Sequence, residues 1–411
     1  MTDLDRLAAD VDVRLRDADH ELARWATFRR SGRQPVHTVY VPADRVHAGI
    51  VAEWSERAKA KLDLHAPYRS ALADALDFDH ELVAYDRVIE KLTNEPIEDL
   101  RIDFEDGYGS RPDDTEDEHV RAAASAVRTM LDDGTAPPFI GIRMKGLEPA
   151  TRRRSLRTFD LFVRELGDIP DGFRLTLPKV TSVDQAAAMA LVCERLESGY
   201  SLGPETLVFE VQVETPQSVV GPDGRSLVAP MIGAANGRCV GLHYGTYDYS
   251  ASLGIAAAQQ AMDHPAADHA KEIMQVAAAQ AGIPISDGST NILPVGNTES
   301  IHAAWRLHAW LIRRSLARGI YQGWDLDPSQ LPSRYAATYA FFAADLPESL
   351  RRLRAYEGND DVGYLDEPAT AAALADYVLR ALDCAAVSDE EVAYECGLDR
   401  TRLESLAHRR Q

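Results

Sequence analysis

Cysteine is scarce in this chain: Cys193, Cys239, Cys384 and Cys396 are the four present in 411 residues. No two stand in a Cys-x-x-Cys spacing, which argues against a zinc knuckle and leaves buried or idle thiols as the expectation. Long apolar runs are lacking too, and none approaches the ~18 residues of a membrane span. The first stretch, MTDLDRLAADVDVRLRDADHEL, is acidic and amphipathic and has no apolar signal core. A cytoplasmic protein with no membrane partner is expected. Basic residues are outnumbered, 44 Lys and Arg against 65 Asp and Glu, for a formal net charge of −21. Such a surface disfavours nucleic acid and anionic membranes as general partners. An anionic substrate would therefore need a local nest of positive charge, from arginine, lysine or a metal. Neither a G-x-G-x-x-G turn nor a Walker-type phosphate loop occurs.

What is present is an ordinary apolar content, 45%, arranged in short β-branched runs between helical stretches. The runs are PVHTVYVP (35–42), LRIDFEDG (100–107), PFIGIRMKG (138–146), FRLTLPKV (173–180), TLVFEVQVET (206–215), RCVGLHYGTYDYS (238–250) and GIYQGWD (319–325). One more, seventh in order and the least defined, falls within IPISDGSTNILPVG (283–296). Helices are expected over 43–65, from about Arg152 to Leu166, after a Ser182 cap, and around 256–281. Eight alternations predict a parallel sheet closed as a TIM (β/α)8 barrel. An open doubly wound sheet would usually carry a glycine-rich turn after its first strand, and YVPADRV has none. The expected layout is an N-terminal helical segment (1–34), the barrel (35–345) and a C-terminal helical extension (346–411).

Polar residues gather late in the runs: Asp106, Arg143, Lys179, Glu214 and Asp248. Barrel active sites lie at the C-terminal ends of the strands, so these residues are expected to converge. Carboxylates inside an apolar stretch such as RIDFEDG are costly unless partnered, and a cation at the barrel mouth would offset them. Glu214 and Asp248, on neighbouring strand ends, are spaced to share a divalent ion, and all-oxygen ligation suits Mg²⁺ better than Zn²⁺. The plainer alternative for both is a helix cap or a surface acid.

Taken in order, RIDFEDG, IGIRMKG, LTLPKV, FEVQVET, YGTYDYSASLG and GWDLDPSQL resemble the HpcH/HpaI aldolase and citrate lyase beta-chain family, over roughly residues 35–335. The resemblance implies a Mg²⁺-dependent carbon–carbon lyase or aldolase, with Mn²⁺ able to stand in for Mg²⁺. Its substrate would be a small oxo acid or a coenzyme A thioester, processed through a metal-stabilised enolate. It implies Glu214 and Asp248 as metal ligands and Arg143 as the group that binds the substrate's carboxylate and keto oxygens. Glu105 and Asp106 would hold metal-bound waters or line the site, with Gly245 and Thr246 also against the substrate, while Lys179 looks structural. The general base is left open among Asp106, a hydroxide on the metal and His243. Relatives of this kind imply a homo-oligomer, a trimer or hexamer. The chain departs from the family pattern at Asp327, where a histidine is usual, at Tyr247, where an acid often precedes the aspartate, and in the stretch 221–238, which looks inserted. A non-catalytic metabolite-binding barrel and a malate-synthase-like thioester condensation are the alternative functions.

Other features read more simply. His37 is expected to be a satisfied core histidine rather than a catalytic one, whereas His243 has the better access to the mouth. The RRR at 152–154 reads as a solvated helix face rather than a phosphate patch. Tyr247 and Trp324 either wall the pocket or simply pack. The segment SDEEVAYECGLDRTRLESLAHRR copies a helix-turn-helix, but its first helix is too acidic for phosphate contact. It is expected to be a packed helical hairpin without DNA affinity.

Overall fold

Each run folds as a strand shorter than itself: most lose their polar C-terminal residues to a loop, whereas the first and the last keep their C-terminal ends and are trimmed at the start. In the computed structural model, which describes residues 3–28, 32–358 and 366–407, the strands are β1 His37–Pro42, β2 Asp99–Asp103, β3 Phe139–Arg143 and β4 Phe173–Leu177, then β5 Phe209–Val213, β6 Cys239–Tyr244, β7 Ile285–Ser286 and β8 Gly323–Asp325. They form one sheet in the order β7-β6-β5-β4-β3-β2-β1-β8. This is the cyclic order of a (β/α)8 barrel, with β8 running parallel to β1 in the register His37↔Gly323 and Val39↔Asp325. β7 is only two residues long, yet the chain beyond it reaches the β8 segment. Asp287 N–H donates to the Gln322 carbonyl at 2.8 Å, and Trp324 N–H donates to that of Gly288 at 3.1 Å.

Helix boundaries follow local chemistry. Arg152–Leu166 forms as expected. Gln185 Oε1 accepts from the Ser182 N–H at the start of the helix Val183–Tyr200. The helix expected around 256–281 begins only at Pro265, after a single 3₁₀ turn at Ala257–Gln259. Proline at the first helical position forfeits no hydrogen bond, and His264 Nδ1 accepts from Ala266 N–H at 3.1 Å.

Two compact units divide the chain, one of residues 1–32, 103–121 and 141–286, the other of 33–102, 122–140 and 287–411. In the first, β5 alternates strictly: Phe209, Val211 and Val213 share one face, and Glu210, Gln212 and the following Glu214 share the other. Every one of these residues is buried. The N-terminal helix Asp3–Ala26 buries none of its residues.

The second unit is held by buried ionic networks. His37 Nδ1 lies 2.7 Å from Asp325 Oδ2, and the Glu98 N–H donates to His37 Nε2 at 3.1 Å. Both ring nitrogens are engaged, so His37 is the satisfied core histidine expected. Asp325 also accepts from Arg334 Nη2 (2.9 Å) and lies 3.1 Å from His308 Nε2. Burial alone would raise the Asp325 carboxyl, but Arg334 and the histidines hold it well below the usual range. Trp324 packs on Tyr40 with ring centroids 4.6 Å apart.

Glu98, fully buried, accepts from Lys91 Nζ at 2.5 Å and from Val36 N–H at 2.8 Å, and pairs with Arg33 at 2.9 Å. Burial pushes its carboxyl up, yet the charges of Lys91 and Arg33 prevail and bring it from 4.5 to about 2. A depressed carboxylate contributes stability that is fully present above its unfolded value and is lost as pH falls through its folded one. Thermal melts of the intact protein should therefore lose stability between about pH 4.5 and 2, and the loss should be smaller in Glu98→Gln, whose melting temperature is lower at neutral pH.

The C-terminal hairpin is the helices Asp389–Cys396 and Arg400–Ala407, joined through left-handed Gly397. Ser388 Oγ accepts from Glu391 N–H and its own N–H donates to Glu391, a reciprocal cap. Leu403 and Leu406 are buried, and Arg87 pairs with Glu391 within the second unit. Parts of the expected terminal segments, residues 1–2, 29–31, 359–365 and 408–411, lie outside the described residues. Among the described residues no helix is long and apolar enough to cross a membrane.

Candidate functional site

In the first unit the charged strand ends meet. β2 ends at Asp103, whose carboxylate is almost fully buried and fully partnered. It accepts from the N–H groups of Glu105 (3.0 Å) and Gly107 (2.8 Å) and from Arg143 Nε and Nη2, each at 2.7 Å. This is a bidentate, charge-assisted pair. Asp103 is thus tolerated in an apolar strand because two backbone donors and one guanidinium fork are aimed at it. The remaining nitrogen of Arg143, Nη1, faces Gln212 Oε1 at 3.4 Å and Glu105 Oε2 at 3.6 Å.

Lys179 follows β4 in a left-handed backbone conformation (φ 54°), uncommon for a residue with a side chain. Its N–H donates to Glu214 Oε1 at 2.7 Å. Its ammonium lies 2.7 Å from Asp248 Oδ2, 2.8 Å from Asp106 Oδ2, 3.4 Å from Glu214 Oε2 and 3.5 Å from Glu105 Oε1. With Asp103, five carboxylates therefore face two cationic side chains. The imbalance shows in the proton affinities. Burial pushes Glu105 up to about 8 against the pull of Arg143 and Lys179, with the charges of Asp106 and Glu214 adding to the rise. Burial likewise pushes Glu214 up to about 7, opposed by Lys179 and reinforced by Asp248. Asp106 goes the other way: burial would raise it, but the hydrogen bond and charge of Lys179 lower it. The Lys179 ammonium is itself held charged by Glu214 and Glu105 in spite of its burial.

Gly245 is shaped by Glu214. A Cβ there would fall 2.5 Å from the Glu214 Cβ and 2.9 Å from its Oε2, so only glycine leaves the carboxylate its place. Thr246 is buried, and its hydroxyl has no hydrogen-bond partner among the described residues. Asp248, half-exposed, sits in the first turn of the helix Thr246–Ser252, where a carboxylate is favoured.

Of the residues singled out in the sequence, Glu105, Asp106, Glu214 and Asp248 share one cation, Lys179, and Arg143 adjoins them through Glu105. His243 is placed elsewhere. It is buried beside Gln212 in the β5–β6 register, one step inside Glu214, with Nε2 2.8 Å from Glu210 Oε2. Access to the mouth, expected from its sequence position, is not what the fold gives it, because β6 continues through Tyr244 before the chain leaves the sheet. Tyr247 is half-buried. In the RRR stretch, Arg154 is engaged by Asp117 and Glu116 and Arg152 Nε donates to the Leu147 carbonyl. Asp327 caps a 3₁₀ turn by accepting from Ser329 N–H at 2.9 Å. Sequence reasoning saw that the carboxylates of RIDFEDG need partners but missed the pairing of Asp103 with Arg143, and it missed Gln212 and Glu210. The period-two pattern E-x-Q-x-E across 210–214 was the signal for the last two, since it puts three polar side chains on one strand face.

The donor set suits a hard divalent cation: all oxygens, mostly carboxylate, with more negative charge than the side-chain cations neutralise. Glu214 and Asp248 would hold it, Glu214 being already oriented by Lys179 N–H and Gln212 Nε2. Among the described residues no three His, Cys, Asp or Glu side chains enclose an ion as they stand. The point where the carboxylates converge is taken by Lys179 Nζ.

Fold and site together define a (β/α)8 barrel with an acidic, cation-centred cluster at the C-terminal ends of its strands. Residues 15–411 match the family described as "Domain of unknown function (DUF6986)", and the chain belongs to that family. Among curated proteins none matches it. Among solved structures it is similar to the malate synthase of Haloferax volcanii in its magnesium and glyoxylate complex. The identity is 15%, the match covers 92% of this chain and 99% of that one, and the TM-score is 0.53. It is also similar to protein CitE of Mycobacterium tuberculosis in complex with magnesium, acetoacetate and coenzyme A, at 19% identity, 85% and 98% coverage and a TM-score of 0.49. The first likeness shows a shared fold; the second, with its lower score, adds nothing to that.

Proposed function

We propose that the protein is a divergent relative of the HpcH/HpaI aldolases and citrate lyase beta chains, a Mg²⁺-dependent enzyme that cleaves or forms a carbon–carbon bond next to a carbonyl. The observation that carries this reading is the convergence of Glu105, Asp106, Glu214 and Asp248 on one cationic point. The Haloferax volcanii protein of the same fold is described with magnesium and glyoxylate. The reading brings that pairing of divalent ion and small oxo acid to this chain.

Glu214 and Asp248 would hold the ion, for which Mn²⁺ could substitute. When bound, it supplies the positive charge that a developing enolate oxygen requires. Arg143, locked by Asp103, presents Nη1 toward the same cluster and orients the substrate's carboxylate. Gly245 keeps that wall low, and the buried Thr246 hydroxyl is a donor awaiting an acceptor. Asp106, exposed and kept ionised by Lys179, takes the proton at an Oδ atom, and Glu105, whose proton affinity burial raises, stands beside it. His243, paired with Glu210, serves to position the strand floor. Run in the opposite direction with a coenzyme A thioester, the same groups would perform a malate-synthase-like condensation.

The test is a screen of 4-hydroxy-2-oxo acids and acyl-coenzyme A thioesters with the full-length protein and Mg²⁺, detecting released pyruvate, glyoxylate or acetaldehyde. Turnover should vanish after EDTA treatment and return with Mg²⁺ or Mn²⁺. A protein that neither binds Mn²⁺ nor turns over any of these would be a metabolite-binding barrel instead.

A further inference from the structure

We infer that Lys179 is a built-in counter-cation that a divalent ion must displace, with Asp106 and Glu105 as the place to which its ammonium retreats. This rests on the metal reading above. Lys179 Nζ contacts Asp248 Oδ2 and Glu214 Oε2, the carboxylates assigned to the ion. Two cations cannot share those oxygens at close range without strong repulsion, so the ammonium and the ion compete. Retreat is open because Nζ already lies 2.8 Å from Asp106 Oδ2 and 3.5 Å from Glu105 Oε1. It can surrender two partners and keep two. Arg143 cannot take over this duty, since its fork is fixed on Asp103.

The backbone supports the same role. Lys179 holds a left-handed conformation while its N–H is bound to Glu214 Oε1, so one residue grips Glu214 at both ends. The backbone contact survives a move of the ammonium and keeps the carboxylate aimed when the side chain leaves. Lys179 is then a positioning residue that sets the affinity of the site and prevents four carboxylates from repelling one another when no ion is bound.

The test is Mn²⁺ titration of the full-length protein, read from the electron paramagnetic resonance signal of free Mn²⁺, with no substrate. Lys179→Met should bind Mn²⁺ roughly tenfold or more tightly than the parent. Lys179→Asn, which tolerates the left-handed backbone, should do the same and guards against a folding defect in the first variant. Asp106→Asn should weaken Mn²⁺ binding more when Lys179 is present than in Lys179→Met, a coupling that a merely structural lysine would not produce. Equal or weaker binding by both Lys179 variants, with the parent still binding, overturns this inference alone. If parent and variants all fail to bind Mn²⁺, both this inference and the metal reading fall.

Discussion

Glu214→Gln is expected to abolish Mn²⁺ binding and to lower Mg²⁺-supported turnover by roughly 10³-fold or more, with the barrel still folded. The residue is fully buried, and its two oxygens accept from Lys179 N–H, Lys179 Nζ and Gln212 Nε2. Glutamine keeps the shape and one acceptor, so the Lys179 N–H remains satisfied. It removes the charge and sets an amide N–H₂ where Gln212 now donates, and a flip of Gln212 would only turn its own N–H₂ toward Arg143 Nη1. The cost to stability should be about 1–2 kcal/mol, measured as a lower melting temperature without metal. A second signature separates loss of the ion from simple damage. The parent should be thermally stabilised by Mn²⁺, and Glu214→Gln should show no such shift even at millimolar concentrations. Asp248→Asn, at a half-exposed position, should weaken the ion less, because water can replace its oxygen. A Glu214→Gln protein that binds Mn²⁺ like the parent would remove this carboxylate from the metal site.

The barrel was legible because its signal is repetitive. Eight β-branched runs between amphipathic stretches leave few architectures, and the polar residues at their C-terminal ends mark the functional face. β7 was the hardest to place because only Ile285 and Ser286 pair there, and the two bonds beyond it come from Asp287 and Trp324, far apart in sequence. The members of the site were legible one at a time, but their partnerships were not. Nothing in RIDFEDG says that its first aspartate binds the arginine of the next strand while its glutamate and second aspartate turn to a lysine one strand further on. The resemblance gave Lys179 a structural part although its place after a strand put it among the residues expected to converge, and its left-handed backbone sets its ammonium among the neighbouring carboxylates. His243 was misplaced for a related reason. Alternation puts it on the polar face of β6, but only the register with Gln212 shows how far inside that face it lies.

Arg143→Lys should reduce kcat/KM by roughly 10²-fold or more on the best substrate found, while Mn²⁺ affinity stays within about threefold of the parent. The guanidinium spends Nε and Nη2 on Asp103 and turns Nη1 toward Gln212 and Glu105. A single ammonium cannot satisfy Asp103 bidentately and also face the cluster. Drawn to Asp103, which has the shorter contacts, the lysine leaves the substrate's carboxylate without its oriented donor. Asp103→Asn tests the same unit from the other side. It should free the guanidinium to tilt, because the amide can accept on one oxygen only, and should raise KM more than it lowers kcat. Neither variant touches Glu214 or Asp248, so retained Mn²⁺ binding distinguishes loss of orientation from loss of the ion. Arg143→Ala adds a chemical control: exogenous guanidinium ion should restore part of its turnover if the missing group acts on substrate. If Arg143→Lys proved kinetically silent and guanidinium rescued nothing, Arg143 would be reduced to a buried partner of Asp103, and recognition of the carboxylate would have to come from Lys179.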